Sequence, residues 1–122
     1  MNRERGLKVV LVLVGLLFLA SILGLLDRNM SAWAQMIISI YATLGAFLLL
    51  AVRNPSANRS LIAFTAWSSF AHGGVMAVQA LKNVIPRADL VRAVLPMLIV
   101  GVLLIALAPK KQPAERAAAV GA

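Results

Sequence analysis

Three stretches of this chain, residues 9–26, 32–52 and 61–81, contain no Asp, Glu, Lys or Arg, and a fourth, residues 90–108, contains only Arg92. Each is about 20 residues long, and a helix rising about 1.5 Å per residue over that length matches the roughly 30 Å hydrocarbon core of a bilayer. In that medium every backbone N–H and C=O must bond internally, so such a run reads as helix. The expectation is an all-α fold, a transmembrane four-helix bundle running up-down-up-down. The short connections make consecutive helices antiparallel. The expected helices cover residues 7–27, 31–53, 59–82 and 87–108 of one membrane domain, 1–108. Residues 109–122 read as a mobile cytoplasmic tail with little to pack.

Composition agrees. The chain is 61% hydrophobic and 13% charged, against about 25% charged in an ordinary soluble domain. Its mean hydropathy is +0.91. With no Cys, disulfides, zinc–thiolate sites and iron–sulfur clusters are excluded. The net charge of +8 would suggest nucleic acid in a soluble protein. Once the apolar runs are removed no soluble basic module remains, so nucleic acid is not an expected partner. The basic loops instead face the lipid bilayer, whose inner leaflet is anionic.

Local chemistry marks the breaks. Asn29 or Ser31 suits the cap of the second helix, and Ser56, Asn58 or Ser60 that of the third. Pro86 suits a first-turn position, with Asp89 near the positive end of the fourth helix dipole. Pro96 has no N–H for the carbonyl of Arg92 and predicts a kink. Asp89 and Arg92 read as a dipole-favoured acid and a snorkelling base. Arg3, Arg5, Lys8, Arg53, Arg59, Lys110, Lys111 and Arg116 fall on one side. Arg28, Lys82, Arg87 and Arg92 fall on the other. The positive-inside rule then puts both termini and the middle loop in the cytoplasm. Arg3, Arg5 and Lys8 before an apolar run, followed by Ala32-Trp33-Ala34, also fit a signal peptide. The run is longer than a usual signal core, so it reads as a retained span.

The third run holds His72, the chain's one histidine. An ionisable group near the bilayer midplane is costly and marks a place to look for function. At about 100° per residue, Thr65, Ser68, Ser69, Met76 and Gln79 fall within about 60° of His72. A second stripe, Ala66, Gly73, Ala77 and Ala80, is of the small-residue kind that lets helices approach closely. The second run has a matching polar stripe, Gln35, Ser39, Ala42, Thr43 and Ala46. Its opposite face (Trp33, Ile37, Ile40, Leu44, Phe47) suits lipid. Centring the two spans antiparallel pairs Gln35 with Gln79 and puts Ser39, Tyr41 and Thr43 at the level of His72. The expectation is a polar seam, with a hydroxyl partner for His72, because buried polar groups in lipid need partners.

The bland account of this seam is bundle glue, worth about 0.6 kcal/mol per bond. A proton relay is the first alternative, since His titrates near neutrality, but no Asp or Glu lies in any of the four runs. Haem is the second. One His per chain would need a symmetric dimer, a partner protein or Met97, which falls at about the depth of His72. Met at such a position is ordinarily packing. One His without Cys or acid cannot supply a structural metal site. No nucleophile–base–acid set or phosphate loop is present. Ser68 and Ser69, four and three residues before His72, suit local backbone bonding better than catalysis. The chain therefore reads as non-enzymatic, with no cofactor expected. It would be an accessory or self-associating subunit, a homo-oligomer or a partner of other membrane proteins. The alternative is a seam that binds or passes a small molecule, quinone, haem or proton.

Size and four spans resemble the small multidrug resistance transporters, but those carry an essential Glu in the first helix and run 9–26 has none. Residues 41–80 include Tyr-Ala-Thr-Leu-Gly, Arg-Asn-Pro, Trp67-Ser-Ser and His72-Gly-Gly-Val-Met-Ala-Val-Gln-Ala. This stretch resembles an uncharacterised family of small bacterial four-span membrane proteins. The resemblance implies that topology and a bacterial inner membrane. It brings no activity and no site residues.

Overall fold

A computed structural model describes residues 2–110. The expected tail beyond residue 110, with Lys111 and Arg116, lies outside the described residues. The protein is all-helical, and no strand occurs among the described residues. Helix α1 spans Arg3–Ala20 and tightens into a 3₁₀ segment, Ser21–Leu26. Helix α2 spans Ala32–Ala51, and α3 spans Arg59–Leu81 after a 3₁₀ turn at Pro55–Asn58. A π-helical segment, Leu90–Val94, leads into α4, Leu95–Leu107. All four helical stretches are long and apolar enough to cross a membrane. The chain forms two compact units. One holds residues up to Arg59 with the chain from Ala108 on, and the other holds Ser60–Leu107.

Several helix ends differ from expectation for identifiable reasons. Helix α1 starts at Arg3 because the Asn2 side chain accepts from Arg5 N–H at 2.8 Å. Lys8 also pairs with Glu4 one turn earlier at 3.3 Å. Ser31 caps α2, accepting from Ala34 N–H. The 3₁₀ turn that precedes α3 is capped by Asn54. Asn54 accepts from Ala57 N–H, with Pro55 in the first turn behind it. Helix α3 ends on Asn83 at φ 59°. Val84 N–H donates to Gln79 O and Asn83 N–H to Ala80 O, the paired bonds of a Schellman ending. The effect of Pro96 arrives early. Leu95 N–H reaches back five residues to Leu90 O, so the backbone widens before the missing donor rather than only bending at it.

In the first unit α1 and α2 form an antiparallel hairpin. Leu7, Leu11, Val14 and Phe18 are buried at alternating spacings of four and three, and Leu44, Leu48 and Ala51 answer them on α2. Leu44, expected on the lipid face, is therefore core. The crossing point is a pair of glycines. A Cβ on Gly45 would stand 2.5 Å from Leu19 N and 2.6 Å from Gly15 O. One on Gly15 would stand 3.0 Å from Gly45 O. Backbone rests on backbone, so a Cβ at Gly45 would force the backbone to move, and one at Gly15 would be tight.

The second unit repeats the arrangement with α3 and α4. A Cβ on Gly73 would lie 3.5 Å from Met97 Cβ and Leu98 Cδ2, so the small-residue stripe faces α4 as an ordinary close contact. Gly101 makes room for the Phe70 ring, where a Cβ would stand 2.6 Å from Phe70 Cε1. Trp67 leans edge-on against that ring at 5.6 Å.

These contacts rank the glycines. Gly45→Ala should destabilise the protein in mild detergent by about 1–3 kcal/mol, since backbone must move to admit the methyl. No atom lies within 4 Å of a Cβ on Gly74, so Gly74→Ala should be neutral or gain roughly 0.5–1 kcal/mol of helix propensity. Thermal midpoints of the two variants check the order.

Candidate functional site

Helix α3 sorts its residues cleanly by side. Thr65 and Ser69 are fully buried, as are Ala66 and Ala80 from the small-residue stripe. Trp67, Phe64, Val75 and Val78 are exposed. Ser68, His72, Met76, Ala77 and Gln79 are half-buried. His72 therefore lies at the border of the buried face rather than at its centre. The polar stripe read from the sequence is present as one side of α3, and burial cuts it lengthwise.

The hydroxyls share one habit. Thr65 Oγ1 donates to Leu61 O at 2.8 Å, and Ser69 Oγ to Thr65 O at 2.7 Å. Ser68 Oγ donates to the same Thr65 carbonyl at 3.2 Å. On α2, Ser39 Oγ donates to Met36 O at 2.6 Å and Thr43 Oγ1 to Ser39 O at 2.9 Å. Each hydroxyl has one proton and commits it to its own helix, three or four residues back. What remains on each oxygen is lone-pair capacity. The stripe can accept hydrogen bonds and has no hydroxyl proton left to give. A molecule bonding to these hydroxyl oxygens would have to be a donor, and so would His72 toward any of them.

The residues expected opposite His72 are placed as follows. Ser39 and Thr43 are exposed, and Gln35 is half-buried. Gln35 Nε2 donates to Met30 O at 3.2 Å, closing the turn before α2. Tyr41 packs edge-on against Phe18 of α1, ring centroids 5.1 Å apart at 86°. It thereby joins the α1–α2 core, a role the polar-stripe argument did not suggest. Met97 abuts Gly73, the packing role expected of a methionine there. The described residues contain no group of three or more His, Cys, Asp or Glu able to hold a metal ion.

Residues 5–119 match a family of unknown function, DUF6632. The chain belongs to that family. The match covers all but the first residues of α1 and the whole of α2, α3 and α4, so both helical hairpins are part of the family's domain. No curated protein and no solved structure matches the chain.

The packing residues whose contact sequence reasoning missed are Gly15 and Gly45. Their signal was available, as single glycines inside runs of Leu, Val and Phe. Nothing in those runs said that the two would meet.

The bonding pattern predicts a small effect for Ser69→Ala. It removes one donor that serves its own helix, at a cost of about 0.6 kcal/mol, and should leave the thermal midpoint close to that of the parent. A loss several times larger would show that Ser69 also carries a bond to another element.

Proposed function

We propose that the protein is a multi-pass integral protein of a bacterial inner membrane, with both termini cytoplasmic. In this reading it acts as a non-enzymatic subunit that associates with copies of itself or with other membrane proteins. The observation that carries the membrane reading is how little each span buries, between 17% and 28% of its most apolar window. Leu13, Leu17, Leu26 and Val91 are all more than 60% exposed. Apolar side chains in that number need hydrocarbon around them. The excess of basic residues on the side of the termini supports the orientation.

Association rather than chemistry is supported by where the polar groups go. The hydroxyls of Ser39, Thr43, Thr65, Ser68 and Ser69 are committed to local backbone bonds. Most small-residue contacts are used inside the hairpins, at Gly15, Gly45, Gly73 and Gly101. Gly74 is different, being exposed with nothing within 4 Å of its Cβ position, and Ala71 beside it is exposed too. A small, open position on a lipid-facing helix is where a second helix can approach closely. The second reading, a seam holding a small molecule, quinone, haem or proton path, is favoured by the row of acceptor oxygens beside His72.

One experiment separates the two. The mass of the complex extracted in mild detergent should be a multiple of the chain or include a second protein, and Gly74→Leu should reduce it to a single chain. A single chain carrying the extra mass of a small molecule, unchanged by Gly74→Leu, supports the seam and contradicts association.

A further inference from the structure

We propose that the basic end of the first unit is a binding site for an anionic phospholipid, with the headgroup on Arg5 and Lys8 and an acyl chain along α1. This inference rests on the membrane reading above and goes beyond it by naming a ligand and its residues.

Two hydrogen bonds assemble that end. Arg3 Nη2 donates to Ala108 O at 2.9 Å, and Arg59 Nε donates to Pro109 O at 3.0 Å. They tie Arg3 in the first turn of α1, and Arg59, to the carbonyls of residues 108 and 109, all within the first unit. Arg3 and Arg59 are thus already engaged with backbone carbonyls. The other cations there, Arg5, Arg53 and Lys110, are exposed. Glu4 is the one carboxylate at this end among the described residues, and it is neutralised by Lys8 at 3.3 Å. The cations thus outnumber the acids heavily at the level where an apolar span meets headgroups. The turns at the far ends of α1 and α3 are closer to balance, with Asp27 beside Arg28, and Asp89 among Lys82, Arg87 and Arg92.

Charge alone would give a diffuse attraction to a leaflet. The shape of α1 makes it a site. Beside Lys8 the surface of α1 carries a shallow, open apolar cavity of about 260 Å³, lined by Lys8, Val9, Val12 and Leu13. Arg5, Lys8, Val9, Val12 and Leu13 follow one another at spacings that keep them on one side of a helix. The cation stands at the membrane surface and the apolar lining runs inward from it. That is the order of a phospholipid, phosphate first and hydrocarbon below. Lys8 has three N–H donors and Glu4 uses one, so the ammonium can serve a phosphate as well. Arg5 adds a planar fork suited to phosphate oxygens.

The test uses the full chain in mild detergent, with native mass spectrometry counting retained lipid. Phosphatidylglycerol and phosphatidylcholine of equal chain length are offered in turn. Phosphatidylglycerol should be retained selectively, and Arg5→Gln with Lys8→Gln should weaken it by roughly fivefold per charge removed. Val12→Phe fills the cavity and leaves every cation in place, so it should also reduce retention. Arg28→Gln with Lys82→Gln should leave retention unchanged. Equal retention of both lipids overturns the proposal. So does a loss as large with the Arg28 and Lys82 variants, displacement by inorganic phosphate at matched concentration, or no effect of Val12→Phe. Circular dichroism of each variant confirms that it is folded. Purification from the membrane fraction beforehand keeps the two readings apart. A chain recovered in the soluble fraction defeats the membrane reading, whereas a membrane-bound chain without lipid preference defeats only this inference.

Discussion

Everything in the first hairpin depends on two backbones touching at Gly15 and Gly45. In water, the burial of Leu7, Leu11 and Leu48 would itself drive α1 against α2. In the membrane proposed for this chain it would not, because hydrocarbon solvates leucine as well as another leucine does. Association then rests on close packing, and close packing is strongest where no side chain stands between the helices. A Cβ at Gly45 would fall inside van der Waals contact with Leu19 N, Gly15 O and Phe18 Cβ together. The glycine pair sets the depth at which α1 and α2 cross. The alternating leucine, valine and phenylalanine contacts above and below follow from that depth, as does the fit of Tyr41 against Phe18.

The same medium explains the economy of the polar groups. A serine or threonine in a membrane helix must place its proton somewhere, and the nearest acceptor is a carbonyl one turn back. Thr65, Ser68, Ser69, Ser39 and Thr43 all take it. This leaves side chains that cost little to bury and specify little about a partner. It also fixes the polarity of the stripe beside His72 as hydrogen-bond accepting. The basic residues show a division of labour as well. Arg3 and Arg59 bond to the carbonyls of Ala108 and Pro109, while Arg5, Arg53 and Lys110 are exposed.

Much of this was legible in the sequence. The four long apolar helices follow from the uncharged runs, Ser31 from its place before α2, and a backbone disturbance before Pro96 from the missing N–H. One member of the small-residue stripe on α3, Gly73, lies close to α4, a partner the stripe did not name. What was hidden has a common cause. In α1 nearly every residue is apolar, so the buried spacing of Leu7, Leu11, Val14 and Phe18 has no polar background to stand out from. In α2 the same uniformity made Leu44 look like a lipid-facing residue. Polarity marks a stripe without saying how deeply it is buried, which is why Thr65 and Ser69 are enclosed while Ser39 and Thr43 are not. The left-handed ending at Asn83 and the cap at Asn54 belong to turn chemistry, where several neighbouring residues were equally suitable.

The central claim is that α1 and α2 pair antiparallel through the face that holds both glycines. The chain contains no Cys, so introduced pairs report without background. Gly24 and Ile38 meet on the same face, where a Cβ on Gly24 would lie 3.0 Å from Ile38 Cδ1. Leu16 and Thr43 sit at a comparable depth on exposed sides. In native membranes, the double variant Gly24→Cys with Ile38→Cys should close readily with a short thiol cross-linker, and Leu16→Cys with Thr43→Cys should not. Efficient closure of the second pair with none of the first would contradict the account.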